Sequence, residues 1–349
     1  MSASPAPLLQ HAIRRLAAGA SLTADESRSA FDAVMSGEAT VAQIASLLVG
    51  LRVKGETADE VAGAAAALRG AMVHLPADRP EELVDTCGTG GGAVGTFNIS
   101  TAAALLAAGA GVRVAKHGNR SFTSQCGSAD VLEALGVAID VPLAVMERAL
   151  REAGIVFMFA PLMHPAMRHV GPVRRELGIP TVMNIVGPLA NPAGAGRQVV
   201  GVADARRVPL IAGALKALGT AHALVVHGEP GMDEVSPLGP TQVVEIRDGI
   251  VSEWTIEPAR FGMPEGRAEE LAGGNPSDNA SAVRAALSGD GPPTARAAVI
   301  LNAAAAIFVS TNGARSFGEA IEVAQAALAD GAGLTALERL RRAFASTAS

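Results

Sequence analysis

Apolar residues in the first 75 positions recur at helical spacing. Phe31, Val34 and Met35 share one face of a helix, and Ile44, Leu47, Leu48 and Leu51 share one face of the next. Three segments open with a threonine followed three residues later by a glutamate or glutamine: Thr23 with Glu26, Thr40 with Gln43, and Thr57 with Glu60. This is the reciprocal cap that starts a helix, so residues 1–75 are expected to form a small helical domain. The texture then changes. Short β-like runs at 112–115, 155–159, 198–202 and 222–226 alternate with helical segments, which predicts a mostly parallel sheet flanked by helices. Runs at 242–247 and 250–256 flank Asp248-Gly249 and predict an antiparallel hairpin. The C-terminal third returns to helices, with expected starts at Ser277 or Asp278, at Thr294, and at Thr335 with Glu338. The expected class is α/β: a small all-helical N-terminal domain, then a larger domain over 76–349 with a mostly parallel central sheet.

Composition narrows the range of functions. At 349 residues the chain exceeds what one core usually serves, and 49% hydrophobic residues suffice for two. With 9 Phe, 1 Trp and no Tyr, the core must be built from small aliphatic side chains, and stacking platforms for bases are scarce. A net charge of −6 disfavours a general nucleic-acid or anionic-membrane surface, so neither partner is expected. The apolar run 297–310 is too short for a comfortable membrane span and is expected to be a buried helix. Two cysteines, Cys87 and Cys126, form no Cys-x-x-Cys, and the N-terminus lacks a charged-then-apolar signal pattern. A reducing, cytoplasmic setting is expected.

The candidate chemistry lies in Asp85-Thr86-Cys87-Gly88-Thr89-Gly90-Gly91-Gly92, followed by Ala93-Val94-Gly95-Thr96-Phe97-Asn98-Ile99-Ser100-Thr101. Glycines on a strand-to-helix turn leave backbone N–H groups open to a bulky anion, and the helix start that follows favours negative charge. Fifteen residues on comes Lys116-His117-Gly118-Asn119-Arg120. The glycine spacing fits neither a dinucleotide fingerprint nor a P-loop. Asp233 and Glu234 follow the run 222–226, near the end of a strand where open α/β sheets place ligands, and their hard oxygens suit Mg²⁺. In the segment 164–178, Gly171-Pro172 is expected to break a helix, leaving 173–177 as a short one ended by Gly178. Arg174 and Arg175 then point to different faces, about 100° apart.

Together these motifs resemble the anthranilate phosphoribosyltransferases, and the resemblance spans nearly the whole chain. Its most specific piece is Lys-His-Gly-Asn-Arg followed by Gly127-Ser128-Ala129-Asp130. The resemblance implies transfer of the phosphoribosyl group of 5-phosphoribosyl-1-pyrophosphate to the amine of anthranilate, with Mg²⁺ as cofactor. It also implies a homodimer paired through the helical domain, a site in the cleft between the domains, and return of part of 172–190 to the helical domain. Gly88, Gly91, Gly92, Thr96, Asn98, Ile99, Ser100 and Thr101 match diphosphate-binding positions, with Ser100, Asp233 and Glu234 implied as Mg²⁺ ligands. The phosphoribosyl part is implied to meet Lys116, His117, Gly118, Asn119, Arg120, Ser121, Phe122, Thr123, Ser124 and Ser128. Arg174 matches the position that holds the anthranilate carboxylate, with Asn119, Gly88, His117 and His164 lining that pocket. No catalytic acid or base is implied: the chemistry needs a held leaving group and an aimed amine.

Some positions depart from the family pattern. Gly92 stands where most members have Asp, Thr123 replaces a common Ser, and Gln125 and Cys126 sit where Lys or Ser is more usual. Two other readings are weighed. Pyrimidine nucleoside phosphorylases share the fold, but their Lys-x-Ser-Thr-Gly-Gly arrangement is missing here. A transferase-like nucleic-acid-binding protein would need a broad basic face, which the net charge of −6 opposes.

Overall fold

The computed structural model describes residues 5–121 and 125–345. Four helices come first: α1 (Pro5–Ala17), α2 (Ala24–Met35), α3 (Val41–Lys54) and α4 (Ala58–Gly70). Then follow β1 (Val84–Gly88), α5 (Ile99–Gly109), β2 (Val114–Gly118), α6 (Ser128–Ala134), α7 (Leu143–Ala153) and β3 (Ile155–Phe159). Three helices, α8 (Ala160–Met163), α9 (Met167–Leu177) and α10 (Met183–Val186), precede β4 (Arg197–Gly201), α11 (Val208–Ala217) and β5 (His222–Gly228). The hairpin β6 (Thr241–Arg247) and β7 (Ile250–Ile256) leads into α12 (Pro276–Ser288), α13 (Pro293–Ser310), α14 (Phe317–Ala329) and α15 (Ala332–Ala345).

The chain forms two compact units. The first comprises residues 1–74, 161–192 and 209–219, and the second comprises 75–160, 193–208 and 220–349. In the first, all three threonine capping boxes are present, each with its side chain on the N–H three residues ahead. The expected faces are buried as well: Phe31, Val34 and Met35 on α2, and Ile44, Leu47, Leu48 and Leu51 on α3. Glu60 has a second duty. Fully buried, it accepts from Leu22 N–H at 2.9 Å, Thr57 N–H at 2.8 Å and Lys54 Nζ at 2.9 Å, tying the α1–α2 and α3–α4 connections to α4.

In the second unit a seven-stranded sheet runs in the order β3-β2-β1-β4-β5-β6-β7. The first five strands are parallel, and β6 and β7 are antiparallel. The sheet grows one way from β1 through β2 and β3 and the other way from β4. Open α/β sheets bind ligands at such a reversal, outside the carboxyl ends of the strands. Gly88, Gly201 and Val226 stand level there. Helix α13 is the core helix expected from the apolar run: every residue from 297 to 309 is buried. At the hairpin, the only tryptophan, Trp254, packs edge-on against Phe308 and Phe317, and Glu245 bridges its Nε1 and His222 Nε2, each at 2.9 Å.

Several element boundaries differ from the sequence expectation. Strand β2 runs on to Gly118, so Lys116 and His117 are strand residues whose side chains are fixed by the sheet. Helix α9 is continuous through Pro172 instead of breaking there. Proline removes one N–H from the ladder, but Gly171 before it has no Cβ to collide with the pyrrolidine ring, so the helix survives. Gly178 does end it, in the left-handed conformation. Thr335 starts nothing; it lies inside α15 with its hydroxyl on Gly331 O, whereas an unforeseen Ser316–Glu319 box opens α14. Asn275, rather than Ser277 or Asp278, caps α12 by accepting from both of their N–H groups. Replacing Glu60 with Ala leaves the Leu22 and Thr57 N–H groups without their acceptor and Lys54 with only Ser21 Oγ and Gly55 O; a loss of about 3–5 kcal/mol is expected in urea unfolding, with a smaller loss for Glu60→Gln.

Candidate functional site

Within the second unit, the loops after β1, β2 and β5 emerge at the carboxyl ends of the strands. The loop after β1 is stitched in place along its length. Thr89 N–H donates to Gly201 O at 2.9 Å, Ala93 N–H to Gly231 O at 2.8 Å, and Phe97 N–H to Leu271 O at 2.9 Å. Gly90 and Gly91 take positive φ, +71° and +77°, which a residue with Cβ adopts only under strain. A further glycine requirement comes from the loop after β5, which lies against β1 and β4. A Cβ on Gly88 would stand 2.5 Å from Asp233 Oδ2, and one on Gly201 would overlap the Asp233 carbonyl.

Asp233 and Glu234 thereby reach the amides of the glycine loop and the start of α5. Gly90 N–H donates to Asp233 Oδ2 at 2.8 Å, and Ser100 N–H donates to Glu234 Oε1 at 3.2 Å. The Lys116 ammonium, buried, donates to Thr86 O and to Ser100 Oγ at 3.2 Å. It thus supports the serine from below and does not project toward solvent. Burial, then the neighbouring Asp233, pushes the Glu234 carboxyl up to about 8, against the pull of Lys116 and the Ser100 N–H. Burial also raises Asp233. The Lys116 ammonium is pulled down by its own burial. Two crowded carboxylates with one buried cation form a hard-oxygen set that a divalent cation would relieve. No group of three or more His, Cys, Asp or Glu side chains suited to a metal occurs among the described residues.

The sequence-predicted residues divide by position. Gly88, Gly92, Ser100, Lys116, Asp233 and Glu234 meet at this place, while Gly91 faces open space. Thr96 bridges Ala272, and Asn98 is held by Asn279 Nδ2 at 2.8 Å while donating to Cys126 O at 3.3 Å. Ile99 and Thr101, on either side of Ser100, have buried side chains, and their N–H groups donate to Phe97 O and Asn98 O. Helix α5 is covered on nearly every side, and in its first turn only Ser100 is left half-open. His117 is buried with its Nδ1 on Asp85 Oδ2 at 2.6 Å. Gly118 admits Ser128, whose Oγ a Cβ at 118 would overlap. Asn119 turns its Oδ1 back onto Arg120 N–H at 2.8 Å.

Arg120, expected to grip the phosphoribosyl part, pairs with Asp130 at 2.9 Å and Glu133 at 2.5 Å and lies over Phe159. Asp130, unassigned from sequence, organises this loop by accepting from Gly127 N–H at 2.8 Å and Ser121 N–H at 3.1 Å. Phe122, Thr123 and Ser124 lie outside the described residues. Cys87 and Cys126 are thiols whose ionisation burial opposes, Cys126 being raised to about 11, which leaves them as space-filling groups. At Gly92, a Cβ would come 3.1 Å from Gly231 O and 3.3 Å from Asp233 Oδ1. An aspartate there would set a third carboxylate against the pair.

Arg174 and His164 belong to the first unit. His164 is buried. Arg174 on α9 is partly buried while Arg175 is exposed, as the helical wheel predicts. Among the described residues the Arg174 guanidinium has no hydrogen-bond or ion-pair partner, and burial alone pulls its pKa down.

Comparison with known proteins adds the following. Residues 80–334 match the family described as "Glycosyl transferase family, a/b domain", and residues 10–72 match "Glycosyl transferase family, helical bundle domain". The anthranilate phosphoribosyltransferase of Rubrobacter xylanophilus is 50% identical over 96% of this chain and 97% of its own. That of Anaeromyxobacter sp. is 48% identical over 97% and 99%. Among solved structures, the Thermus thermophilus enzyme of the same name superposes with a TM-score of 0.90 at 41% identity, covering 96% of this chain and 99% of that one. The Saccharomyces cerevisiae enzyme in complex with PRPP and Mg gives 0.87 at 29%, covering 98% and 99%.

The raised Glu234 carboxyl has a testable consequence. A folded-state pKa above the unfolded value means that ionisation costs stability, a cost absent below the ordinary glutamate pKa near 4.5 and complete above about 8. Glu234→Gln, which keeps the acceptor for Ser100 N–H, is expected to raise Tm by a few degrees at pH 8.5 and leave it unchanged at pH 4. Equal shifts at both pH values in calorimetry would contradict this assignment.

Proposed function

The chain belongs to the anthranilate phosphoribosyltransferase family, and on that premise we propose that it transfers the phosphoribosyl group of 5-phosphoribosyl-1-pyrophosphate to the amine of anthranilate. The products are N-(5-phosphoribosyl)anthranilate and pyrophosphate, the second step of tryptophan biosynthesis from chorismate. One observation carries the reading in this chain: Asp233 and Glu234 rest on the amides of Gly90 and Ser100, with the Lys116 ammonium beneath the Ser100 hydroxyl. Anion-binding amides and cation-binding carboxylates share one place, as a diphosphate that arrives with a divalent cation requires.

Asp233, Glu234 and the Ser100 hydroxyl would hold Mg²⁺, which when bound neutralises charge growing on the departing diphosphate. The glycine-loop amides orient that leaving group. Lys116 stays on Ser100 and sets the local potential without touching solvent. His117, with Nδ1 on the buried Asp85 carboxylate, is held in one orientation as a wall of the site. No side chain needs to take a proton before attack, since an arylamine is already neutral at physiological pH; the amine needs aim and exclusion of water.

Arg174 receives the anthranilate carboxylate, a role that suits a partly buried guanidinium lacking any partner of its own among the described residues. His164, in the same unit, lines the acceptor site. Two copies pair as a homodimer through the helical unit, where Leu8, Val41 and Val53 are exposed apolar side chains. A cytoplasmic setting suits the two free cysteines.

Loss of anthranilate fluorescence on adding the donor with Mg²⁺ tests the reaction, and no loss from the native chain would refute it. Arg174→Ala is expected to raise KM for anthranilate roughly 10–100-fold, the worth of a charged bidentate contact, while KM for the donor stays within about twofold. Arg174→Lys should recover only part, because an ammonium cannot form the fork. An unchanged anthranilate KM in Arg174→Ala would remove that residue from the acceptor site.

A further inference from the structure

Helix α13 is apolar from residue 297 to 309 except at one position, and that position is Asn302. The residue is buried, and an amide placed there without partners would cost about 1–3 kcal/mol. Its partners are complete. Oδ1 accepts from Val235 N–H at 2.9 Å, and Nδ2 donates to Val235 O at 2.8 Å and to Ala298 O at 2.9 Å. The side chain therefore grips both backbone groups of a single residue in the loop after β5.

Val235 directly follows the carboxylate pair. On the other side of the pair, Gly228 and Met232 exchange both of their backbone hydrogen bonds, at 3.0 and 2.7 Å. Asp233 and Glu234 are the only two residues between these fastenings, one built by strand β5 and the other by Asn302. Both fastenings are buried, since Met232 and Val235 are closed off from solvent. Releasing the Asn302 end would leave the Val235 peptide held only through its neighbour Ser236, whose N–H lies on Thr241 Oγ1 at 2.9 Å, and would loosen Glu234 on Ser100 N–H while Asp233 stays against Gly88 and Gly201.

We propose that Asn302 is a positioning residue for the cation–diphosphate site: through the Val235 peptide it fixes where the Asp233 and Glu234 carboxylates stand. The inference rests on the function proposed above and names a group on a different element, never in contact with substrate. A helix that merely needed filling at this point would be served by leucine or alanine.

Asn302→Ala removes the grip, and Asn302→Ser restores a shorter side chain with a single donor in place of the amide's two. Calorimetric titration of the donor with Mg²⁺ onto the protein, without anthranilate, should show affinity lowered roughly 10-fold in Asn302→Ala, the usual effect of losing a group behind a metal ligand. Asn302→Ser should fall between. KM for anthranilate should stay within about twofold of native. Hydrogen exchange on the native chain gives a readout independent of any variant: the Val235 amide should be as protected as those of α13. Unchanged cation–donor affinity in a folded Asn302→Ala, or a Val235 amide exchanging like an exposed loop, overturns the proposal. A native chain that binds the cation–donor pair yet leaves anthranilate untouched would overturn the acceptor reading instead and leave the role of Asn302 standing.

Discussion

Two neighbouring carboxylates held against backbone amides set the constraints under which the second unit is built. Asp233 and Glu234 can reach Gly90 and Ser100 only if the loop after β5 lies directly on β1 and β4, which requires Gly88 and Gly201 to lack side chains. It also requires those strands to end level, as their register ensures. Packing two carboxylates here raises the cost of ionising both, and the fold offsets part of that cost with a lysine buried under Ser100. The arrangement is electrostatically uneasy by itself. Strongly perturbed carboxyl groups of this kind cluster at functional sites.

Much of this is legible in the chain. The three threonine boxes, the hairpin around Asp248-Gly249 and the strand 155–159 rest on short-range chemistry, where a cap or turn depends on residues within a few positions. The glycine loop and the Asp233-Glu234 pair are legible as components. What the sequence hides is long-range. Nothing near Lys116 reveals that its ammonium is buried on Thr86 and Ser100, or that Arg120 turns to Asp130 and Glu133.

Where helices differ from expectation, the causes are local. Pro172 reads as a break unless the relief that Gly171 gives to the position preceding a proline is counted. Thr335 and Glu338 have capping spacing but lie within a helix that begins earlier, so the pattern is met by chance. Asn302 carries a visible signal, one amide in a long apolar run, but its partner Val235 stands 67 positions away. Ile99 and Thr101 adjoin Ser100 in sequence, yet successive helix residues point about 100° apart, and the packing around α5 closes over both neighbours.

The scarcity of aromatic residues has a practical side. The single tryptophan is wedged between the hairpin and helices α13 and α14, with its indole N–H on Glu245, and the chain contains no tyrosine. Tryptophan emission therefore comes from the second unit alone, and the first unit has neither tryptophan nor tyrosine. Far-ultraviolet dichroism sees both. A melt followed by the two methods together separates the loosening of one body from that of the other without any label, and leaves the blue window clear for an aminobenzoate reporter.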